Sequence, residues 1–209
     1  LVAGLELMSF SHFAKLSGLV PTIGIVSGYC FAGNAALLGQ CDVIIATKNS
    51  YIGMAGPAMI EGGGLGVFEP EEIGPISVQS TNGVVDVVVE NDTEAVQRAK
   101  QYLAYFQGPL QDWTCQDQTL MRPLVPEQRR RAYDVRKVID VLADENSMLE
   151  LRREFGIGII TALIRIEGRP FGLVANNVYH LGGAIDADGA DKMSRFIQLC
   201  DGFDLPMIS

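Results

Sequence analysis

Between Leu16 and Cys41 the chain carries no charged residue. An apolar stretch of that length is enough to cross a bilayer. This one is interrupted by Gly18, Pro21, Gly24, Gly28, Gly33 and Gly39, and by the polar Ser17, Thr22, Ser27, Asn34 and Gln40. Glycine and proline cut such a run into short pieces. The pattern therefore predicts no membrane span but a strand over 21–26 buried on both faces, a tight turn, and a helix beginning over 35–38. A second buried strand is predicted over 43–46. Strand, turn, helix and strand in that order predict an α/β layer architecture.

The rest of the composition narrows the function classes. The chain has 209 residues, 48% of them hydrophobic and 20% charged, enough apolar material for a buried core and a globular fold in one domain or two small ones. Its formal net charge is -9, so a nucleic acid would bind against the overall field, and no nucleic-acid partner is expected. Cys30, Cys41, Cys115 and Cys200 are far apart, with only His12 and His180 to assist. Neither a metal site nor a disulfide framework is expected from that spacing, and reduced thiols in an intracellular compartment fit better. Cys41 reads as a small apolar core residue. No secretory signal pattern is found in the sequence, which begins at Leu1 without an initiator Met, so the start is expected to lie upstream.

Further along, Leu5, Met8, Phe10, Phe13 and Leu16 recur at helical spacing and predict a helix over 5–16, stopped by Gly18. A strand is predicted over 83–90 and a helix over 94–106 with Thr93 as its N-cap. Residues 107–131 are rich in Pro, Gln and Asp with little periodicity and read as a linker. Beyond it, Asp134 is the predicted N-cap of a helix over 135–142. Strands over 158–166 and 170–175 are joined by a turn at Glu167 and Gly168, followed by a helix over 188–199 and a strand from 205 to 208. A faint repeat is present: Met8, Ser9, Pro21 and Ile23 recur as Met193, Ser194, Pro206 and Ile208, each 185 positions later.

The chemistry is expected at Gly28-Tyr29-Cys30-Phe31-Ala32-Gly33-Asn34-Ala35-Ala36, where a strand ends and a helix begins. Small residues let a ligand approach the backbone, and the first N–H groups of a helix have no intrahelical acceptor. Such groups favour a negative oxygen, as a thioester enolate would present. Spacing alone leaves a second reading open, in which the glycines only make a tight connection.

Residues 28–42 (GYCFAGNAALLGQCD) match without gaps the oxyanion-hole segment of the crotonase superfamily. Downstream, Gly56-Pro57-Ala58-Met59-Ile60, Glu71-Glu72-Ile73-Gly74 and Glu90-Asn91-Asp92 resemble, in order and spacing, the beta-type carboxyltransferase subunits of biotin-dependent acyl-CoA carboxylases such as propionyl-CoA carboxylase. So do Ala132-Tyr133-Asp134-Val135 and the stretch from Phe155 through Gly168-Arg169, Val174-Ala175-Asn176-Asn177, Phe196, Cys200-Asp201 and Leu205-Pro206.

The resemblance implies an α/β, crotonase-like repeated ββα superhelix, with parts of two related domains. Residues 1–106 would be the C-terminal part of a first, acyl-CoA domain. Residues 107–131 would be the linker, and 132–209 the N-terminal part of a second, carboxybiotin domain. The implied oxyanion donors are the N–H groups of Ala32 and Gly33; Ala32 keeps the donor but adds a methyl group. Gly28, Phe31, Asn34, Gly56 and Pro57 are the implied substrate contacts, and no metal is implied. Biotin, on a separate carrier, and a coenzyme A thioester are the implied cofactor and substrate. A homo-oligomer is implied in which the first domain of one subunit faces the second domain of another, served by biotin carboxylase and biotin carrier subunits. The compartment would be the cytoplasm, or the mitochondrial matrix in a eukaryote. The chain would begin partway into the first domain and stop inside the second, leaving the biotin-side turn past Ser209.

Three other readings compete. A biotin-dependent decarboxylase or transcarboxylase subunit would use the same site. An enoyl-CoA hydratase needs two carboxylates to handle the protons of water, and the corresponding places here, Ala36 and Gly56-Pro57-Ala58, hold none. A non-enzymatic fragment is the third. The remaining motifs add little. Gly62-Gly63-Gly64-Leu65-Gly66 fits neither the dinucleotide nor the P-loop pattern. Ser27 is not in a nucleophile elbow, and Arg129-Arg130-Arg131 reads as a solvated charge run. No Met-Lys-Met biotin attachment motif is present. His12 reads as a packing residue, and His180 falls in a glycine-rich loop.

Overall fold

The computed structural model describes residues 8–128 and 130–209. It divides into two compact units, Leu1–Ala99 and Lys100–Ser209, and no described helix is long and apolar enough to cross a membrane. Leu5 of the first expected helix and Arg129 of the arginine run lie outside the described residues.

In the first unit, helix α1 (Ser9–Ala14) precedes a strand–strand–helix order that occurs twice. The first copy is β1 (Ile23–Val26), β2 (Tyr29–Phe31) and α2 (Gly33–Leu38). The second is β3 (Val43–Thr47), β4 (Tyr51–Gly53) and α3 (Pro57–Gly62). Equivalent strands pair in parallel, β1 with β3 and β2 with β4, so the second copy stacks on the first. After a short helix α4 (Ile76–Gln79), β5 (Val87–Val89) extends the β1–β3 sheet, again in parallel. This is the repeated ββα arrangement that the resemblance implied. Side chains from both sheets and from α2, among them Val26, Leu38, Ile44 and Ile52, close the core. The expected strand over 83–90 is shorter because residues 80–84 form a turn. The expected N-cap of the next helix, α5 (Asp92–Ala104), is also displaced. Asn91, not Thr93, supplies the cap, its Oδ1 accepting from Glu94 N at 3.0 Å, because an amide two residues earlier reaches the free N–H of the first turn.

The division between the units falls inside α5. The second unit then holds α6 (Val135–Leu142), β6 (Leu149–Leu151), β7 (Ile159–Ile166), β8 (Arg169–Asn176), α7 (Ala187–Gly202) and β9 (Met207–Ile208). Strands β6, β7 and β8 are antiparallel neighbours and β9 joins β8 in parallel. Asp134 caps α6 as expected, accepting from Arg136 N at 3.1 Å. Residues 107–131, expected as a linker, hydrogen-bond into this unit. Leu110 N–H donates to the Gly168 carbonyl at 3.0 Å, and Gln118 Nε2 donates to the Val141 carbonyl at 2.6 Å. The buried Arg165 gathers the same region, its guanidinium donating to the carbonyls of Ala104 at 2.6 Å and Gly108 at 3.1 Å, and also to that of Gly168. Asp144 answers from the other side, its carboxylate accepting from the N–H groups of Glu167 and Gly168. The two repeat segments share the order helix, loop, proline, strand, but their helices differ in length, six residues against sixteen.

Lys192 is enclosed by the second unit at 1% exposure, and its Nζ donates to the Ile159 carbonyl at 2.6 Å. Burial pushes the amine down to about 8; the Glu150 charge opposes that shift, and Arg136 and Arg152 add to it. The unfolded value is about 10.4, so below about pH 8 the fold carries a buried charge that costs roughly 3 kcal/mol. The cost is relieved as pH rises from the folded toward the unfolded value. Lys192→Met removes this dependence. Urea unfolding of both proteins between about pH 7 and pH 10 should show the wild type gaining up to about 3 kcal/mol on the variant. Parallel curves would show that Lys192 does not titrate in this way.

Candidate functional site

The turn after β1 is built on a buried hydroxyl. Ser50 Oγ donates to the Val26 carbonyl at 3.0 Å, accepts from Gly28 N at 3.2 Å, and lies 2.7 Å from Thr47 Oγ1. Tyr51 N–H donates to the Gly28 carbonyl at 2.9 Å. Gly28 has φ 93°, a conformation that costs a side-chain-bearing residue energy. Chain reversal at Gly28 starts β2, whose pairing with β4 aligns Phe31 with Gly53.

The next residue takes this ladder one step further, since Ala32 N–H donates to the Gly53 carbonyl at 3.0 Å. Its N–H is therefore engaged by that carbonyl, where the sequence led to the expectation of two adjacent donors at Ala32 and Gly33. Parallel pairing consumes the first, and helix geometry frees the second. Ala32 is the N-cap of α2, with φ 54° and ψ −123°. The first bond within the helix runs from Ala36 N–H to the Ala32 carbonyl. Gly33 and Asn34 precede that bond, and no described residue accepts from their N–H groups. An added Cβ at Gly33 would meet Phe10 Cζ at 3.5 Å.

The second group of expected residues comes to the turn through Phe31. A Cβ on Gly53 would sit 3.5 Å from Phe31 Cδ1, and one on Gly56 would sit 3.4 Å from Phe31 Cδ2. Gly56 is the N-cap of α3 and Pro57 its first residue, where a missing N–H costs nothing. Beside β2 lies a cleft of about 310 Å³, whose lining includes Phe13, Ser27, Tyr29, Cys30, Asn34 and Leu37. Gly28, Phe31, Ala32, Gly33 and Asn34 thus share one turn, with Gly56 and Pro57 reached across the Phe31 ring.

Ser50 and Gly53 were not singled out from the sequence, and Tyr29 and Glu71 were named there only within motifs, without a role of their own. The Tyr29 ring stacks on Tyr51 at 5.3 Å and lies tilted to Phe31 at 5.9 Å. Its hydroxyl donates to Glu71 Oε1. That bond raises the Tyr29 phenol above its ordinary value and lowers the Glu71 carboxyl below its own. Burial pushes the Cys30 thiol up, which keeps it protonated and a poor nucleophile. Residues 28–36 and 54–60 contain no carboxylate, histidine or lysine. Those two stretches therefore supply no side-chain base of these kinds of their own, and the Glu71 carboxylate meets the turn at the Tyr29 hydroxyl.

The carboxyl transferase domain profile matches residues 7–209. The chain belongs to the carboxyl transferase domain family. Among curated relatives, it is 31% identical to the methylmalonyl-CoA carboxyltransferase 12S subunit of Propionibacterium freudenreichii subsp. shermanii, over 99% of this chain and 41% of that protein. It is also 31% identical to the propionyl-CoA carboxylase beta chain of Roseobacter denitrificans, over 96% of this chain and 41% of that one. The chain thus spans about two fifths of the length of these relatives. A solved single-chain, multi-domain long-chain acyl-CoA carboxylase superposes with TM-score 0.97 and 57% identity, over 100% of this chain and 21% of that one. The transcarboxylase 12S hexamer, solved with hydrolysed methylmalonyl-CoA bound, gives TM-score 0.81 and 30% identity over 95% of this chain and 40% of its own.

Two stability predictions follow from the turn. Ala32→Gly relieves a backbone conformation worth about 1–3 kcal/mol and gives back about 0.5–1 kcal/mol in unfolded-chain freedom. The variant should unfold about 1 kcal/mol later than the wild type in urea. Ser50→Ala strands the Gly28 N–H and the Val26 carbonyl and should lower stability by about 1–3 kcal/mol.

Proposed function

We propose that this chain contributes to the transfer of a carboxyl group from carboxybiotin to the α-carbon of an acyl-CoA, with Gly33 N–H as the donor that receives the enolate oxygen. The observation that carries this reading is the N–H of Gly33, which no described residue engages, in a turn whose residues 28–36 include no carboxylate, histidine or lysine. An enolate oxygen is held by preorganised donors more strongly than the ground-state carbonyl, and one such donor is worth about 10²–10³ in rate. Small side chains at Ala36, Gly56 and Ala58 leave room for the thioester and exclude a carboxylate from both sides of it. That donor set fits a reaction whose base arrives with the second substrate. Carboxybiotin supplies both the carboxyl group and, once it is released, a ureido nitrogen able to take the α-proton.

The residues of this chain then bind and orient. Ala32 shapes the turn, Gly28 lets it reverse, and Phe31, Asn34, Gly56 and Pro57 border the thioester. We assign residues 1–106 to the acyl-CoA side and residues 132–209 to the carboxybiotin side, within a homo-oligomer that works with biotin carboxylase and biotin carrier partners. The hexameric transcarboxylase 12S neighbour supports an oligomer. Transfer in the decarboxylating direction would use the same groups. The compartment we assign is the cytoplasm, or the matrix in a eukaryote.

Gly33→Pro tests the donor, because proline is tolerated at the first helical position while it removes the N–H. In the intact, folded enzyme it should lower carboxyl transfer by about 10² or more, and near wild-type turnover would remove Gly33 from the oxyanion role. The intact wild-type enzyme should not hydrate crotonyl-CoA. Hydration at rates typical of hydratases would overturn the carboxyltransferase reading.

A further inference from the structure

We propose that Phe31 sets acyl specificity: its ring is the wall that limits the width of the acyl group beside the enolate carbon. The proposal rests on the acyl-CoA reading above and adds to it a side chain that discriminates between substrates.

Side chains alternate across a strand, so within β2 Cys30 packs on the core while Tyr29 and Phe31 share the opposite face. That face is opened by the residues opposite. Gly53, the register partner of Phe31, has no side chain, and neither has Gly56. The ring occupies the seat they leave, with an ideal Cβ at Gly56 coming 3.4 Å from its Cδ2 and 3.6 Å from both its Cβ and its Cγ. A Cβ at Gly53 would lie 2.8 Å from Ile73 Cγ2, so the seat is closed on its far side. Tyr29, fastened to Glu71, borders the ring along the strand.

The ring is also placed where the reaction would occur. Phe31 is two residues before Gly33, the unengaged donor, and its ring meets Gly56, which the reading above sets at the border of the thioester. A thioester with its oxygen on Gly33 N–H and its carbons directed toward Gly56 therefore has the Phe31 ring at its side. Replacing the ring by a methyl group opens a space floored by two glycines, which an acyl branch can enter.

The test compares kcat/KM for propionyl-CoA and 3-methylbutanoyl-CoA in the intact enzyme with its biotinyl carrier, for the wild type, Phe31→Ala and Phe31→Leu. Extra methyl groups in an apolar pocket change kcat/KM by about 10–200-fold. Phe31→Ala should raise the ratio of branched to propionyl substrate by about tenfold or more, with Phe31→Leu between it and the wild type. A ratio within about twofold of wild type in a folded variant that still carboxylates propionyl-CoA would overturn the proposal. Should Phe31→Ala fail to fold, Phe31→Leu decides, since it keeps most of the buried volume. Failure of the wild type to carboxylate either ester would instead sink the acyl-CoA reading, and this proposal with it.

Discussion

The site depends on one buried serine. Ser50 Oγ holds the end of β1 through the Val26 carbonyl and the start of the turn through Gly28 N, while the next residue, Tyr51, opens β4 beside β2. One hydroxyl thus ties the reversal between β1 and β2 of the first ββα copy to the step between β3 and β4 of the second. From that point the parallel ladder determines the rest: Phe31 falls opposite Gly53, the Ala32 N–H is consumed by the Gly53 carbonyl, and Gly33 is the first N–H left for a ligand. A one-residue slip would exchange the faces of every β2 side chain and put Cys30 where Phe31 now sits.

On the proposed reading, the turn contributes through its backbone. Stabilising an enolate oxygen needs a donor that is already oriented and has no competing acceptor, and the step from strand to helix provides one at Gly33. Ala32 bears the conformational cost, with a φ of 54° that glycine would adopt more easily. Its methyl group departs from the glycine pair that the resemblance implied, and its N–H is bonded to the Gly53 carbonyl.

Charge in the second unit serves a different purpose. Arg165 satisfies carbonyls from the end of α5, the following segment and the β7–β8 turn, and Asp144 satisfies N–H groups of that same turn. Arg136 and Glu150 form a further pair there. Buried ionic groups with complete hydrogen bonding specify a conformation. Arg165 bonds the stretch 107–131 at Gly108, and the bonds of Leu110 and Gln118 hold it further along, which is why a segment without periodicity belongs to a compact unit.

The sequence by itself determined the broken apolar run, the strand–turn–helix at the site and most of the second unit's elements. Each of these rests on local patterns of period, capping and punctuation: Asp134 before α6, Gly168 between β7 and β8, Gly28 at the reversal. Residues 28–34 were legible for the same reason, since they are contiguous. Only the tertiary structure decided which of the two adjacent N–H groups is available, because the acceptor that occupies Ala32 is the carbonyl of Gly53, brought there by strand pairing and not by any local pattern. The same holds for Ser50, buried at 0% exposure, and for the meeting of Phe31 with Gly56. Hydrogen-bond partners and ring contacts between distant residues follow from register, and register is fixed when the two ββα copies stack.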